Sequence, residues 1–186
     1  MLPEDVKESL NAGRYERTPE GVFFPTSNLM AKGVFTFNKR GEPEEFSENL
    51  VVNEGLNYML GTAVGADTTI SSWYIAVFAG DVTVLATWTA ANFSANSTEF
   101  INYDEANRPA WSRGAVASGA TDSFSSKASF TSSADTQTIR GAALISSSIK
   151  NSTSGKLMAA SRFPSDKLLD TGEILDVGYG LQLTAV

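Results

Sequence analysis

Period-two alternation recurs along this chain and leaves it few ways to fold. In "EILDVGYGLQLTA", Leu175, Val177, Tyr179, Leu181 and Leu183 fall on one face. Ile174, Asp176, Gly178, Gly180, Gln182 and Thr184 fall on the other. Successive side chains of an extended backbone point to opposite sides, so the pattern is that of a strand with one face buried. "DSFSSKASFTS" repeats it, setting Phe124, Ala128 and Phe130 against Ser125, Lys127, Ser129 and Thr131. In "TIRGAALISSSI", Ile139, Ala143, Ile145 and Ile149 share a face, whereas "SWYIAVFAG" is nearly continuous apolar and reads as a strand buried on both sides. Shorter strand candidates are "TEFINY", "AWSRGAV" and "GKLMAASRF", separated by Gly, Pro, Asn or Asp turn signals. Many short strands at close spacing predict a mainly β domain, a β-sandwich or jelly roll, in preference to a parallel α/β sheet.

One segment changes period. In "NEGLNYMLGTAVG", Leu56, Met59, Leu60, Ala63 and Val64 recur at i, i+3, i+4, i+7 and i+8, the stripe of a short amphipathic helix. Asn53 is placed to cap its start, and Gly65 fits the left-handed position beyond its end. Gly55 and Gly61 weaken it by about 1 kcal/mol each relative to alanine. Such a helix forms only if its stripe packs on the sheet or on a neighbouring chain. "PEDVKESLNAG", with Pro3 near its start and Gly13 past its end, is a second short amphipathic piece.

Charge divides the chain unevenly. Residues 1–50 hold 15 of the 35 charged side chains, whereas 18 of the 43 residues from Ser112 to Ser154 are Ser or Thr. The expected organisation is an extended N-terminal arm over residues 1–45, serving inter-subunit contacts, followed by a β-sandwich domain over 46–186. Pro19 and Pro25 bracket Gly21–Phe24, a run too short for a central strand. It suits either the first edge strand of the domain or an arm that pairs with another subunit. On the arm reading, the partner-contact residues are Tyr15, Arg17, Val22, Phe23 and Phe24, and the chain enters its domain near Val34.

Composition narrows the chemistry. The chain has neither cysteine nor histidine. Thiolate and Ser-His-Asp catalysis and the zinc signatures are therefore excluded, as is the side chain that ordinarily titrates near neutral pH. No phosphate-cradling glycine motif occurs, so neither a catalytic residue nor a cofactor or metal site is assigned. Asp104 and Glu105 are adjacent, which on a strand sends them to opposite faces; an ion pair of Asp104 with Arg108 is the plainer expectation. Asp81, Glu99, Asp166 and Asp176 are isolated in sequence. Trp73, Trp88 and Trp111 are expected as core anchors, with Trp88 or Trp111 as a carbohydrate platform the alternative. A net charge of −7 without a basic cluster disfavours nucleic acid. No apolar run approaches the length that spans a bilayer, and the acidic first residues are unlike a signal peptide.

The order of the pieces is itself informative. "NEGLNYMLGTAVG", "SSWYIAVFAGDV", "TWTAANF" and "EFINYDEANRPAW" are followed by "IRGAALISSSIKNSTSGKLMAASRF" and "LLDTGEILDVGYGLQLTA". Over residues 50–186 this resembles a group of tailed-bacteriophage virion structural proteins described as capsid cement, decoration or head-associated proteins. The most specific parts are the Asn-Glu-Gly-Leu-Asn helix leading to Trp-Tyr-Ile-Ala-Val-Phe, the Tyr-Asp-Glu-Ala-x-Arg-Pro-Ala-Trp segment and the closing Gly-Glu-Ile-Leu strand. The resemblance implies a non-enzymatic protein made in the host bacterial cytoplasm and carried on the capsid surface of the virion. Its partners would be the major capsid protein and itself, as a homotrimer. A head-fibre or tail/neck component, or a carbohydrate-binding module on a virion fibre, is the alternative.

Overall fold

The computed structural model describes residues 29–185 continuously, together with Glu8, Tyr15–Arg17, Pro19, Gly21 and Phe23–Pro25. The chain divides into two compact units, Lys32–Gln182 and a smaller one made of Met1–Ala31 with Leu183–Val186. In the smaller unit, β1 (Tyr15–Arg17) pairs antiparallel with β2 (Phe23–Pro25), setting Arg17 opposite Phe23 and Glu16 opposite Phe24. The helical piece expected over residues 3–13 lies outside the described residues, Glu8 apart.

The architecture is mainly β, with two antiparallel sheets. One sheet runs in the order β4 (Glu45–Glu48), β3 (Leu29–Lys39), β11 (Ile174–Ala185). Beyond β11, both β7 (Ala120–Asp122) and β8 (Ala128–Thr131) pair with it. The other runs β5 (Leu50–Val51), β10 (Leu157–Leu169), β9 (Gln137–Ile145), β6 (Tyr74–Phe78). Only Asn49 separates β4 from β5, so the chain steps from one sheet to the other there. Its N–H donates to the Gly33 carbonyl at 3.2 Å, and three residues on Val52 N–H donates to Met158 at 3.2 Å.

Phe124, in a turn before β8, and Leu183, near the end of β11, are exposed against expectation, but elsewhere alternation does what it predicts: Ala128, Phe130, Leu175, Val177 and Tyr179 are all buried. They share one core with Phe35 and Phe37 of β3 and with Ile75, Val77, Leu144 and Phe163 of the opposite sheet. β6 is buried on both faces, as its unbroken apolar run requires. Its other face, with Ala143, Ile145 and Leu157, is covered by Val52, Trp88 and Phe93.

Four expectations are corrected. Ile139 does not share a face with Ala143 and Ile145. It joins the inner core beside Ala142 and Leu144, while Ile149 is exposed beyond the strand. Opposite this stretch the ladder between β9 and β10 is interrupted: residues 163–166 of β10 stand against Arg140 alone, between the Arg162–Gly141 and Lys167–Ile139 pairs. Neither "TEFINY" nor "AWSRGAV" forms a strand; Glu99, Tyr103 and Ala110 make isolated bridges instead. Two of these, Phe78 with Glu99 and Tyr74 with Ala110, close the open edge of β6. Helix α1 (Asn53–Ala63) starts from Val52, not from Asn53, and no side chain caps it. The Gly65 expectation holds, with φ of +74°. A further helix, α2 (Ala90–Ser97), was not anticipated: Thr89 and Asn92 form a capping box at its start.

Candidate functional site

Helix α1 is where local pattern and tertiary structure part. Its buried residues are Gly55 and Tyr58, with Met59 and Thr62 half-buried, so the helix docks on a line one position round from its aliphatic stripe. Leu56, Leu60 and Val64 remain 43%, 64% and 69% exposed, and Ala63 is exposed between them. Two contacts select this face. A Cβ on Gly55 would fall within 3.0 Å of the Met158 carbonyl oxygen, Cα and carbonyl carbon, so only glycine lets the helix approach β10 this closely. The Tyr58 ring sits edge-on to Trp73 at 5.4 Å and 63°, and its hydroxyl accepts from Ile70 N–H at 2.6 Å. A buried phenol needs such a partner, and the leucine face offers none to keep.

This geometry reverses the usual effect of a glycine-to-alanine change in a helix. Alanine at 55 adds about 1 kcal/mol of helix propensity but meets backbone that cannot yield, at an overpacking cost of about 1–3 kcal/mol. At Gly61 the same Cβ meets only the flexible Asp67 side chain. Gly55→Ala is therefore expected to lower the thermal midpoint and Gly61→Ala to leave it unchanged or raise it, which paired melting curves of the two variants check.

A second cluster is polar. Arg108 is fully buried, and its Nε and Nη2 donate to Glu99 Oε1 and Oε2, each at 2.7 Å. Nη1 donates to the Ser147 carbonyl at 3.0 Å. Glu99 also accepts from the Ser94 hydroxyl at 2.5 Å and from Asn151 N–H at 3.0 Å. Arg108 therefore pairs with Glu99 and not with Asp104. A bidentate fork inside the protein outcompetes an exposed carboxylate four residues away. Beside it, Lys150 Nζ lies 3.6 Å over the Tyr103 ring and donates to the Tyr103 carbonyl at 2.6 Å. Burial pushes the Lys150 ammonium below the ordinary lysine value and, with Glu99 nearby, pushes the Tyr103 phenol up. The Arg108 and Glu99 side chains satisfy one another, Ser94 and the backbone, whereas the buried Tyr103 hydroxyl has no hydrogen-bond partner. The effect of the cluster is to clamp the segment through Glu99 and Arg108 along β6 and against the 147–151 loop.

Glu105 accepts from the Thr131 N–H and hydroxyl, and the carboxylates isolated in sequence are drawn to arginines. Asp81 and Asp166 both contact Arg162, and Asp176 accepts from Arg40 and Ser129. Among the described residues no group of three or more potential metal ligands comes together, and no helix is long and apolar enough to cross a membrane. Trp73 and Trp88 are core anchors. Trp88 is only 3% exposed, packed edge-on to Phe78 and Phe93, which removes it as a platform. Trp111 is half-buried, donates its indole N–H to the Tyr179 carbonyl at 3.0 Å, and borders a cleft of about 350 Å³ with Ser72, Ser112 and Arg113.

Of the residues expected to contact partners, Tyr15, Arg17, Phe23 and Phe24 belong to the β1–β2 hairpin; Val22 lies outside the described residues. The open α1 face was legible as an apolar stripe, but its exposure was not. No protein family, curated protein or solved structure matches this chain.

Proposed function

We propose that this chain is a non-enzymatic structural protein of a bacteriophage virion, a cement or decoration protein that binds the capsid exterior and stabilises it. Its two sheets are those of a sandwich of the jelly-roll type, with the N-terminal hairpin as the arm. The major capsid protein and other copies of itself, as a trimer, are its partners. The observation that carries the reading is the apolar face of α1, left open to water on a chain that lacks histidine and cysteine. An exposed aliphatic stripe of this kind marks a contact surface. Repetition on a lattice turns weak single contacts into firm attachment.

The test uses capsids prepared without the protein. Added purified chain is expected to bind and to raise the temperature at which the shells lose their contents. A full-length variant carrying Val22→Asp, Phe23→Asp and Phe24→Asp is expected to melt normally on its own and to bind at least about tenfold more weakly. Substitutions are preferable to deleting residues 1–45, because that deletion removes β3 with Phe35 and Phe37 of the core. Counting copies per particle separates the alternatives: hundreds fit a capsid lattice, whereas about a dozen or fewer fit a neck or tail position. Full binding by the triple variant overturns the arm. Failure of the intact chain to bind any shell overturns the function.

A further inference from the structure

We propose that Lys127 and Asn38 join covalently, in an amide bond that the folded chain forms between its own side chains with Glu44 as the base. The inference stands on these three residues and is independent of the virion reading.

The sheet order brings them together. β11 lies between β3, which carries Asn38, and β8, which Lys127 immediately precedes. Side chains from these two strands meet across β11 only where it has none to interpose. Gly178 is that position: a Cβ there would meet Thr36 Oγ1 at 2.6 Å, Phe124 Cδ1 at 3.1 Å and Lys127 Cγ at 3.4 Å. At Gly180 a Cβ would meet Phe124 Cζ at 2.7 Å. The turn between β7 and β8 therefore lays the Phe124 ring and the aliphatic stem of Lys127 over the two glycines. Beside them Thr36 is 1% exposed, and its hydroxyl has no hydrogen-bond partner. The lysine stem thus crosses apolar, unsolvated ground before its amine arrives at Asn38.

Lys127 Nζ donates to Asn38 Oδ1 at 3.2 Å and ion-pairs with Glu44 Oε1. Asn38 Nδ2 donates in turn to the carbonyls of Lys39 at 3.2 Å and Glu42 at 3.4 Å. Those two acceptors fix which way the carboxamide faces, since the flipped form would set its oxygen against two carbonyl oxygens. The amine therefore meets the carbonyl side of the amide. The nitrogen that has to leave points toward the turn after β3, where Arg40 to Glu44 are exposed.

Each part of the reaction has a group to perform it. Glu44 takes a proton from the Lys127 ammonium, and the freed Nζ lone pair adds to Asn38 Cγ as the carbonyl π electrons move to Oδ1. The lysine's terminal torsions carry the amine from that oxygen to the neighbouring carbon. Collapse of the tetrahedral adduct restores the carbonyl and breaks the Cγ–Nδ2 bond. Nδ2 departs as ammonium with the two protons that Nζ has lost. One amide replaces another, Glu44 ends as a carboxylate, and no oxidant or co-reactant is consumed. Groups held side by side react as though at effective concentrations of about 10⁵–10⁸ M, which is what an amine needs to displace ammonia from an amide. The step occurs once per chain and leaves no turnover. Its product ties β3 to the start of β8, across a sequence separation of 89.

Intact mass of the purified full-length chain, measured in denaturant after folding and incubation, is expected about 17 Da below the sum of its residues, the mass of one ammonia. Proteolysis is expected to yield a branched fragment joining the peptides that hold Asn38 and Lys127. Lys127→Arg is expected to show full mass and a lower thermal midpoint, because it lacks the closed loop. Glu44→Gln keeps both reacting side chains, alters only an exposed carboxylate and is expected to melt cooperatively, while slowing the loss of mass at least about tenfold. A wild-type chain of full mass overturns the proposal, since Lys127 is then only hydrogen-bonded to Asn38. A loss that persists in Lys127→Arg, as from an asparagine cyclising on its own backbone, overturns it as well. Unchanged kinetics in Glu44→Gln overturn the assignment of the base. A chain that carries the bond yet binds no capsid keeps this inference and discards the functional one.

Discussion

Arg108→Met is expected to cost about 3–5 kcal/mol, a large part of the stability of a domain this size. The guanidinium and the Glu99 carboxylate have side-chain exposures of 0% and 1%. Removing the cation leaves a carboxylate in a low-dielectric interior with only the Ser94 hydroxyl and Asn151 N–H to solvate it. That penalty, more than the lost attraction, sets the size of the effect. In urea, the midpoint should fall with little change in slope. Adding Glu99→Gln to Arg108→Met should recover part of the loss, since the second change removes the stranded charge; the double-mutant cycle measures the coupling. Hydrogen exchange should quicken first in β6, whose edge the Glu99–Arg108 segment covers. An unchanged urea midpoint would mean that the cluster is solvated and not clamped.

The second large effect is expected at Phe163. Its ring stacks on Phe37 of the opposite sheet with centroids 3.8 Å apart and planes 4° from parallel, and both rings are buried. Face-to-face stacking is not the arrangement that ring quadrupoles favour, so the contribution is burial and close packing between the sheets. Phe163→Ala opens a cavity there, at about 3–5 kcal/mol, or a fall in Tm of roughly 6–20 °C. Phe46→Ala, which truncates a ring 61% exposed on β4, is expected to change stability by no more than about 0.5 kcal/mol. Comparable Tm losses at the two positions would contradict the packing described.

Several elements could be read from the residues alone, and each of them is local. β8 and β11 bury Phe130, Leu175, Val177 and Tyr179 because alternate side chains of any strand share a face. β6 is apolar throughout because a sheet with both faces covered demands it. The capping box of Thr89 and Asn92 was equally present in the sequence. However, it introduces only eight helical residues, too few for a periodic stripe to stand out. The Ile139 face failed for another reason: an interruption of the ladder between strands is a property of the pair, and one strand's sequence does not contain it.

What the sequence determined by itself, then, is the mainly β character, the position of α1 and the exclusion of thiol and imidazole chemistry. The tertiary structure decided which acid Arg108 meets and which side of α1 faces water. Periodicity states which residues share a side of a helix but not which side docks. At α1 that choice went to Gly55, for close approach to Met158, and to Tyr58, for a ring contact and a hydroxyl partner. The first depends on a strand far along the chain, the second on Ile70 and Trp73 in the segment that follows the helix. The leucine stripe was left outside because tertiary fit at the other face outweighed its hydrophobicity.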